Sequence, residues 1–190
     1  MTSNYLYQEG YVWIWLPHSI KPIVAGKLTV NNTKILFNYG KSYLARADAI
    51  AINQDELPLI SGVISSSNTE ALPGCLRDAS PGAWGRRVIL NKLLGHKDIN
   101  AETSELNEMT YLMVSGSDRI GALDFQASPT KYEPRCNKAN SLETLLRAAE
   151  TVQKGELLNE ELAQALQHGT SIGGARPKAI LEYNNKKYIA

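Results

Sequence analysis

Three β-forming runs fall within the first forty residues, and they leave little freedom for the fold of that part of the chain. Tyr11-Val12-Trp13-Ile14-Trp15-Leu16 is rich in aromatic and β-branched residues and is stopped by Pro17. Residues 23–30 form the next run, and residues 34–39 follow after Asn31-Asn32-Thr33. Asn-Asn between two such runs predicts a hairpin turn, because Asn tolerates positive φ. Leu28 and Val30 alternate with polar neighbours, as do Ile35 and Phe37. That is the period of a half-buried antiparallel sheet. The expectation is an antiparallel β-meander over about the first 60 residues.

Helical signals then take over. Residues 57–74 read as loop, with Ser65-Ser66-Ser67-Asn68 the most loop-like piece. In Asp78-Ala79-Ser80-Pro81-Gly82-Ala83-Trp84-Gly85-Arg86-Arg87, Ser80 is placed to cap a helix and Pro81 suits its first turn. Trp84, Val88 and Leu93 would share a face, and Arg86-Arg87 would lie on a solvated one. A second helix is expected over 104–114, capped by Ser104 and stopped by Gly116, with Leu106, Met109 and Met113 turned to the core. Residues 120–125 read as a strand, with Asp118 as a turn residue. Leu142, Leu145, Leu146, Ala149 and Val152 then recur at helical spacing up to Gly155. Asn159 can cap a further helix through Leu162 and Leu166.

Composition excludes several classes. Lys and Arg number 20 against 19 Asp and Glu, so the chain lacks the basic field of a nucleic-acid binder. Cys75 and Cys136 lie far apart, without Cys-x-x-Cys spacing, and His18, His96 and His168 are scattered, so no metal site is expected. The N-terminus lacks a signal-peptide pattern, and no apolar run reaches the length of a membrane span. The expectation is a cytoplasmic protein with no membrane contact.

The stretch with chemical content is Gly169-Thr170-Ser171-Ile172-Gly173-Gly174-Ala175-Arg176-Pro177-Lys178-Ala179. Glycines at 169, 173 and 174 free the backbone to approach a ligand. Successive N–H groups in such a loop form an anion nest, and Arg176 and Lys178 add positive charge beside it. The spacing is neither that of a P-loop nor that of a dinucleotide fingerprint. After it, residues 178–183, Asn184-Asn185 and residues 186–190 predict a β-hairpin. The sequence stops at Ala190, within that apolar strand, and the expectation is the front part of something longer or a truncated gene product.

The string Thr170-Ser171-Ile172-Gly173-Gly174-Ala175-Arg176-Pro177-Lys178-Ala179 resembles the glycine-rich loop of the HipA-like serine/threonine kinase toxins. The segment around Pro81, Trp84, Gly85 and Arg86 resembles their N-terminal region, although Gly82 stands where an acid is common. The junction at 118–123 and, loosely, the meander are similar to theirs as well.

The resemblance implies an α+β fold. An N-terminal antiparallel β-meander would be followed by helical segments and the start of a kinase N-lobe, made of the glycine-rich loop and β-hairpin. It divides the chain into a HipA N-terminal-like unit over 1–125 and, over 126–190, a connector with the start of the kinase domain. It further implies that Ser171, Ile172, Gly173, Gly174, Ala175, Arg176 and Lys178 bind ATP with Mg²⁺ in the full-length protein, and that Ser171 is a regulatory autophosphorylation site. The implied partners are a HipB-like DNA-binding antitoxin and a protein substrate of the aminoacyl-tRNA synthetase class. No His-Arg-Asp-like or Asp-Phe-Gly-like string occurs in these residues, so none of them is assigned a catalytic role. The resemblance places the catalytic residues downstream of Ala190, and residues 1–190 are expected to be inactive alone. Two alternatives stay open. One is a stand-alone module that neutralises or regulates a partner HipA-like kinase, and the other is an α+β scaffold without nucleotide chemistry.

Overall fold

The structure is a computed structural model. It describes residues 7–66, 71–95, 106–119, 121–135, 142–159, 162, 166, 180–183 and 186–189. Five antiparallel strands make the main sheet, β1 (Glu9–Ile14), β2 (Ile23–Asn31), β3 (Lys34–Tyr39), β4 (Val63–Ile64) and β5 (Leu123–Gln126), in the order β4-β3-β2-β1-β5. The helices are α1 (Lys41–Leu44), α2 (Gly74–Arg77), α3 (Ala83–Leu94), α4 (Glu108–Val114) and α5 (Leu142–Gln153). A separate two-stranded hairpin pairs β6 (Ile180–Tyr183) with β7 (Lys186–Ile189). The fold is α+β, as expected. The meander is shorter than expected: it ends at Tyr39, because the chain turns into α1 before reaching β4.

The register explains which residues are buried. Leu28 pairs with Phe37 and Val30 with Ile35, so these side chains share the core face. Tyr11, Trp13, Lys27 and Asn38 occupy the other face. Ala25 is the extra residue of a bulge opposite Val12 and Trp13, since Val12 pairs with Gly26 and Trp13 with Val24. A bulge lets two successive residues face the same side. Ala25 is fully buried, and a Cβ on Gly26 would run into the Asn38 carbonyl oxygen and the Phe37 ring. The hairpin turn uses Asn32 and Thr33 and not Asn31-Asn32, with Asn32 at φ 55°.

Against the core face lie Tyr43 of α1, Leu76 of α2 and Met109, Leu112 and Met113 of α4. Tyr43 stacks on Tyr39 with ring centroids 5.7 Å apart. The Tyr39 hydroxyl donates to the Leu57 carbonyl at 2.7 Å, which fastens the loop before β4. Two smaller apolar clusters sit on α3. Trp84 and Val88 pack with Leu145, Ala148, Val152 and Leu166, while Ile89 and Leu90 pack with Leu106 and Tyr111. Leu93 joins the second cluster and does not share a face with Trp84. In α5 the buried positions are Leu145, Ala148 and Val152, and Leu146 is 55% exposed, so the apolar stripe is rotated from the one expected.

The helix starts also differ from expectation. Gly82, not Ser80, is the N-cap of α3, because the Ser80 hydroxyl is bonded to Glu108 Oε2 at 3.2 Å. Asn107 caps α4, its Oδ1 accepting from the Thr110 N–H at 2.8 Å. Ser104 lies outside the described residues. The end of α4 falls at Ser115, ahead of Gly116, and β5 begins at Leu123, later than the strand expected from residue 120. After α5, Gly155 takes φ 69°, and the Gly155 and Glu156 N–H groups return to the Val152 and Thr151 carbonyls at 3.1 and 3.0 Å. That is a Schellman stop. Tyr183 pairs with Lys186 in the β6–β7 hairpin, and the expected turn residues Asn184-Asn185 lie outside the described residues. Its second strand covers Lys186–Ile189 as expected, and Ala190, the last residue of the expected run, lies outside the described residues.

Gly26→Ala forces its Cβ into backbone and ring atoms that cannot both yield. The expected loss is about 1–3 kcal/mol or more, read as a lower urea midpoint with an unchanged slope.

Candidate functional site

The residues expected to bind ATP (Ser171, Ile172, Gly173, Gly174, Ala175, Arg176 and Lys178) lie outside the described residues. So does Ala190, the point beyond which the catalytic residues are expected. The structure describes what stands before and after the glycine-rich string. Asn159 Oδ1 accepts from the Leu162 N–H at 2.8 Å, the expected capping contact, and Leu166 is buried against the Trp84 cluster. The hairpin β6–β7 follows the stretch.

Helix α3 ties this region to the sheet unit. Asn91, buried on α3, donates through Nδ2 to the Glu156 carbonyl at 3.0 Å and accepts through Oδ1 from the Leu158 N–H at 3.1 Å. The chain leaving α5 is thereby locked to α3 by polar bonds as well as by the apolar cluster. Trp84 Nε1 is buried with no hydrogen-bond acceptor among the described residues.

Arg86 is not on a solvated face. Its Nη1 and Nη2 each donate to a Glu108 carboxylate oxygen at 2.7 Å, its Nε donates to the Pro81 carbonyl at 3.0 Å, and its guanidinium lies 4.4 Å from the Tyr111 ring centroid. Burial works to lower the Arg86 pKa, and the Glu108 carboxylate outweighs it, so the group is raised. A guanidinium with its donors committed this way is an α3–α4 fastener. It is not a free phosphate ligand.

The densest polar cluster centres on Asp124, which is fully buried on β5. It shares the outer face of the sheet with its β1 partner Trp13. Arg119 Nε and Arg135 Nη2 donate to Asp124 Oδ1 at 3.1 and 2.9 Å, while Gln126 Nε2 and the Tyr132 hydroxyl donate to Oδ2 at 2.9 and 3.0 Å. Arg119 also donates to the Ala79 carbonyl, and through Nη2 to the Leu112 carbonyl and Ser115 Oγ, both at 2.6 Å. Burial works to raise the Asp124 pKa, but Arg135, Ser117 and Arg119 together hold it below the ordinary carboxylate range. Burial pulls the Arg119 guanidinium down to about 10 against the pull of Asp124, so it stays cationic at neutral pH.

Asp124-Phe125 shares two letters with an Asp-Phe-Gly motif, yet Asp124 has no access to a ligand and its oxygens are taken. It is not a metal carboxylate. Among the described residues no group of three His, Cys, Asp or Glu could hold a metal ion. The Cys75 thiol is half-buried beside Glu56 and pushed up to about 12 by burial and by that carboxylate, so it is not a poised nucleophile.

Sequence reasoning passed over Arg119 and Asp124. The signal was present: an acid inside the apolar run Leu123-Asp124-Phe125 must find a counter-charge, and Arg119 precedes it at the mouth of the strand. It also missed a shallow groove of about 470 Å³ on the outer face of the sheet, lined by Tyr11, Val24, Lys27, Leu36, Val63 and Pro129. No periodicity within one strand announces a concavity built from several.

A family model described as the HipA N-terminal domain matches residues 18–126. The chain belongs to the HipA N-terminal domain family. The match runs from the loop before β2 to Gln126, the last residue of β5, so it includes the Arg119–Asp124 pair. Strand β1 precedes the match although it sits between β2 and β5 in the sheet. No curated protein matches the chain. Among the described residues of this HipA-family chain, no helix is long and apolar enough to cross a membrane.

Asp124→Asn removes the counter-charge of the buried Arg119 and the half-buried Arg135. At neutral pH it is expected to cost about 3–5 kcal/mol, measured by urea denaturation. The native carboxyl titrates below its unfolded value of about 3.9. Its contribution is therefore complete above that value and is lost as pH falls through the native one. The stability gap between wild type and Asp124→Asn should close in that acid window and stay constant above it.

Proposed function

We propose that this chain is the front part of a HipA-like serine/threonine protein kinase that acts as the toxin of a bacterial toxin–antitoxin pair. The observation that carries the reading is the order along the chain. A HipA N-terminal domain over 18–126 is followed by the glycine-rich string at 169–179 and then by the β6–β7 hairpin. A glycine-rich loop leading into a hairpin is how a kinase N-lobe covers nucleotide phosphates.

In this reading the backbone N–H groups of Ser171, Ile172, Gly173, Gly174 and Ala175 receive phosphate oxygens, and Arg176 and Lys178 supply charge beside them. ATP with Mg²⁺ supplies the transferred phosphoryl group. The described residues do not fit a Mg²⁺ site. The metal carboxylates and the base belong to the second lobe of the kinase, downstream of Ala190. A HipB-like antitoxin restrains the enzyme, and its substrate is a translation component of the aminoacyl-tRNA synthetase class. Phosphate on Ser171 would add a charge of about −1.5 to −2 where the γ-phosphate must sit, which silences the kinase.

A second reading is favoured by the self-contained core of the sheet unit. It makes the chain a module that binds and restrains a partner HipA-like kinase.

Two measurements test the first reading. Calorimetry of residues 1–190 with Mg-ATP is expected to give weak or undetectable binding, since part of a phosphate site is present without its metal carboxylates; micromolar affinity would overturn that assignment. In the full-length kinase incubated with Mg-ATP, peptide mass spectrometry is expected to find phosphate on Ser171, and Ser171→Ala to stay active and toxic without antitoxin. An unmodified Ser171 in an active enzyme rejects the switch. Tight association with a HipA-like kinase and no nucleotide chemistry in the longer protein would favour the second reading.

A further inference from the structure

After β5 the chain folds back, and residues 127–135 cross the outer face of the sheet without regular secondary structure. Residues 129–131, 133 and 134 are exposed. Beneath them Trp13 is only 7% exposed, and Asp124 and Gln126 are buried. The Tyr132 ring lies 5.4 Å from both Trp13 and Trp15, edge-on to the latter, and its hydroxyl reaches Asp124.

The way this segment is held differs from the rest of the sheet unit. The Glu133 N–H donates to Gln126 Oε1 at 3.4 Å and the Arg135 N–H to Ser117 Oγ at 2.9 Å. The Thr130 and Lys131 N–H groups donate to Ser128 Oγ, within the segment itself. Trp13 Nε1 donates to the Ser128 carbonyl at 3.0 Å. Side chains, not a backbone ladder, provide nearly all of the attachment. Among the described residues, the Ser117 N–H to the Arg135 carbonyl at 3.3 Å is the one backbone pair that reaches the segment. A segment with exposed backbone, held by side chains and by the packing of one aromatic ring and not by a backbone ladder, opens at a lower free energy than the sheet below it.

We propose that residues 128–135 are a strap that opens and closes over the outer face while the sheet stays folded. Pro129 is a wall of the groove that holds Tyr11, Val24 and Lys27. Lifting the strap removes that wall and uncovers Trp13 and Trp15. The strap thus sets how much aromatic surface the groove presents.

Native-state hydrogen exchange on the whole chain tests this. The Glu133 and Arg135 amides and the Trp13 indole proton should exchange together and faster than the Ile35 and Gly40 amides. Those two are bonded to the Ala71 and Ala25 carbonyls at 2.7 and 2.9 Å. Low urea should hardly change strap exchange and should steeply raise that of the sheet. Tyr132→Phe keeps the ring and loses the bond to Asp124. It should speed strap exchange by about tenfold or more, the loss of one hydrogen bond to a charged acceptor, with the flat urea dependence retained. Strap protons sharing the rate and urea slope of Ile35 and Gly40 in both proteins would overturn the proposal.

Discussion

Arg119 and Asp124 add a polar tie between parts of the fold that otherwise meet through the apolar core. Arg119 takes the carbonyls of Ala79, after α2, and Leu112, in α4, and meets Asp124 on β5 with the same guanidinium. Its face lies over Phe125, whose side chain points to the core, while Asp124 belongs to the outer face. One side chain therefore ties the core layer to the covered layer at the edge of the sheet. A buried ion pair is weak evidence for stability, because desolvation consumes most of its attraction. What it supplies here is geometry. The planar fork of an arginine fits this set of acceptors, and a lysine has neither the donors nor the shape.

Helix α3 has a comparable role on the other side of the molecule. Its buried residues, Trp84, Gly85, Val88, Ile89, Leu90 and Asn91, run nearly all round it, as in a helix packed on more than one side. Arg86 fastens it to α4, and Asn91 fastens it to the chain after α5. The segment leading to the glycine-rich string is thus mounted on the HipA N-terminal domain through one helix. Movement of that helix would reach both.

Much of the fold was legible because it depends on local pattern. Alternation at Leu28, Val30, Ile35 and Phe37 fixed two strands and their faces, and the α5 limits follow from leucine spacing and Gly155. The rest depends on contacts between distant residues. Ser80 satisfies every local rule for a helix cap, yet Glu108 claims its hydroxyl and the cap passes to Gly82. Leu146 fits the helical stripe by spacing, but α3 meets α5 on the side of Ala148, which leaves Leu146 in solvent. Arg86 looks like half of a surface pair until Glu108, brought in by another helix, makes it a buried fastener. The candidate phosphate loop was read from its string and family likeness alone, and its residues are outside those the structure describes.

The polar cluster also explains why the outer face is covered on one side and open on the other. Asp124 offers two oxygens, and Arg119, ahead of β5, and Gln126, its last residue, use only part of their capacity. The remaining capacity is met by Tyr132 and Arg135 from the returning chain, which draws that chain over Trp13. Nothing equivalent stands at the β3–β4 side, where Asn38 and Val63 are exposed and the outer face carries no buried acid among the described residues. The groove begins where this covering ends, at Pro129. The position of the acid in β5 therefore determines both the cover and the opening, and a carboxylate one residue along the strand would face the core instead.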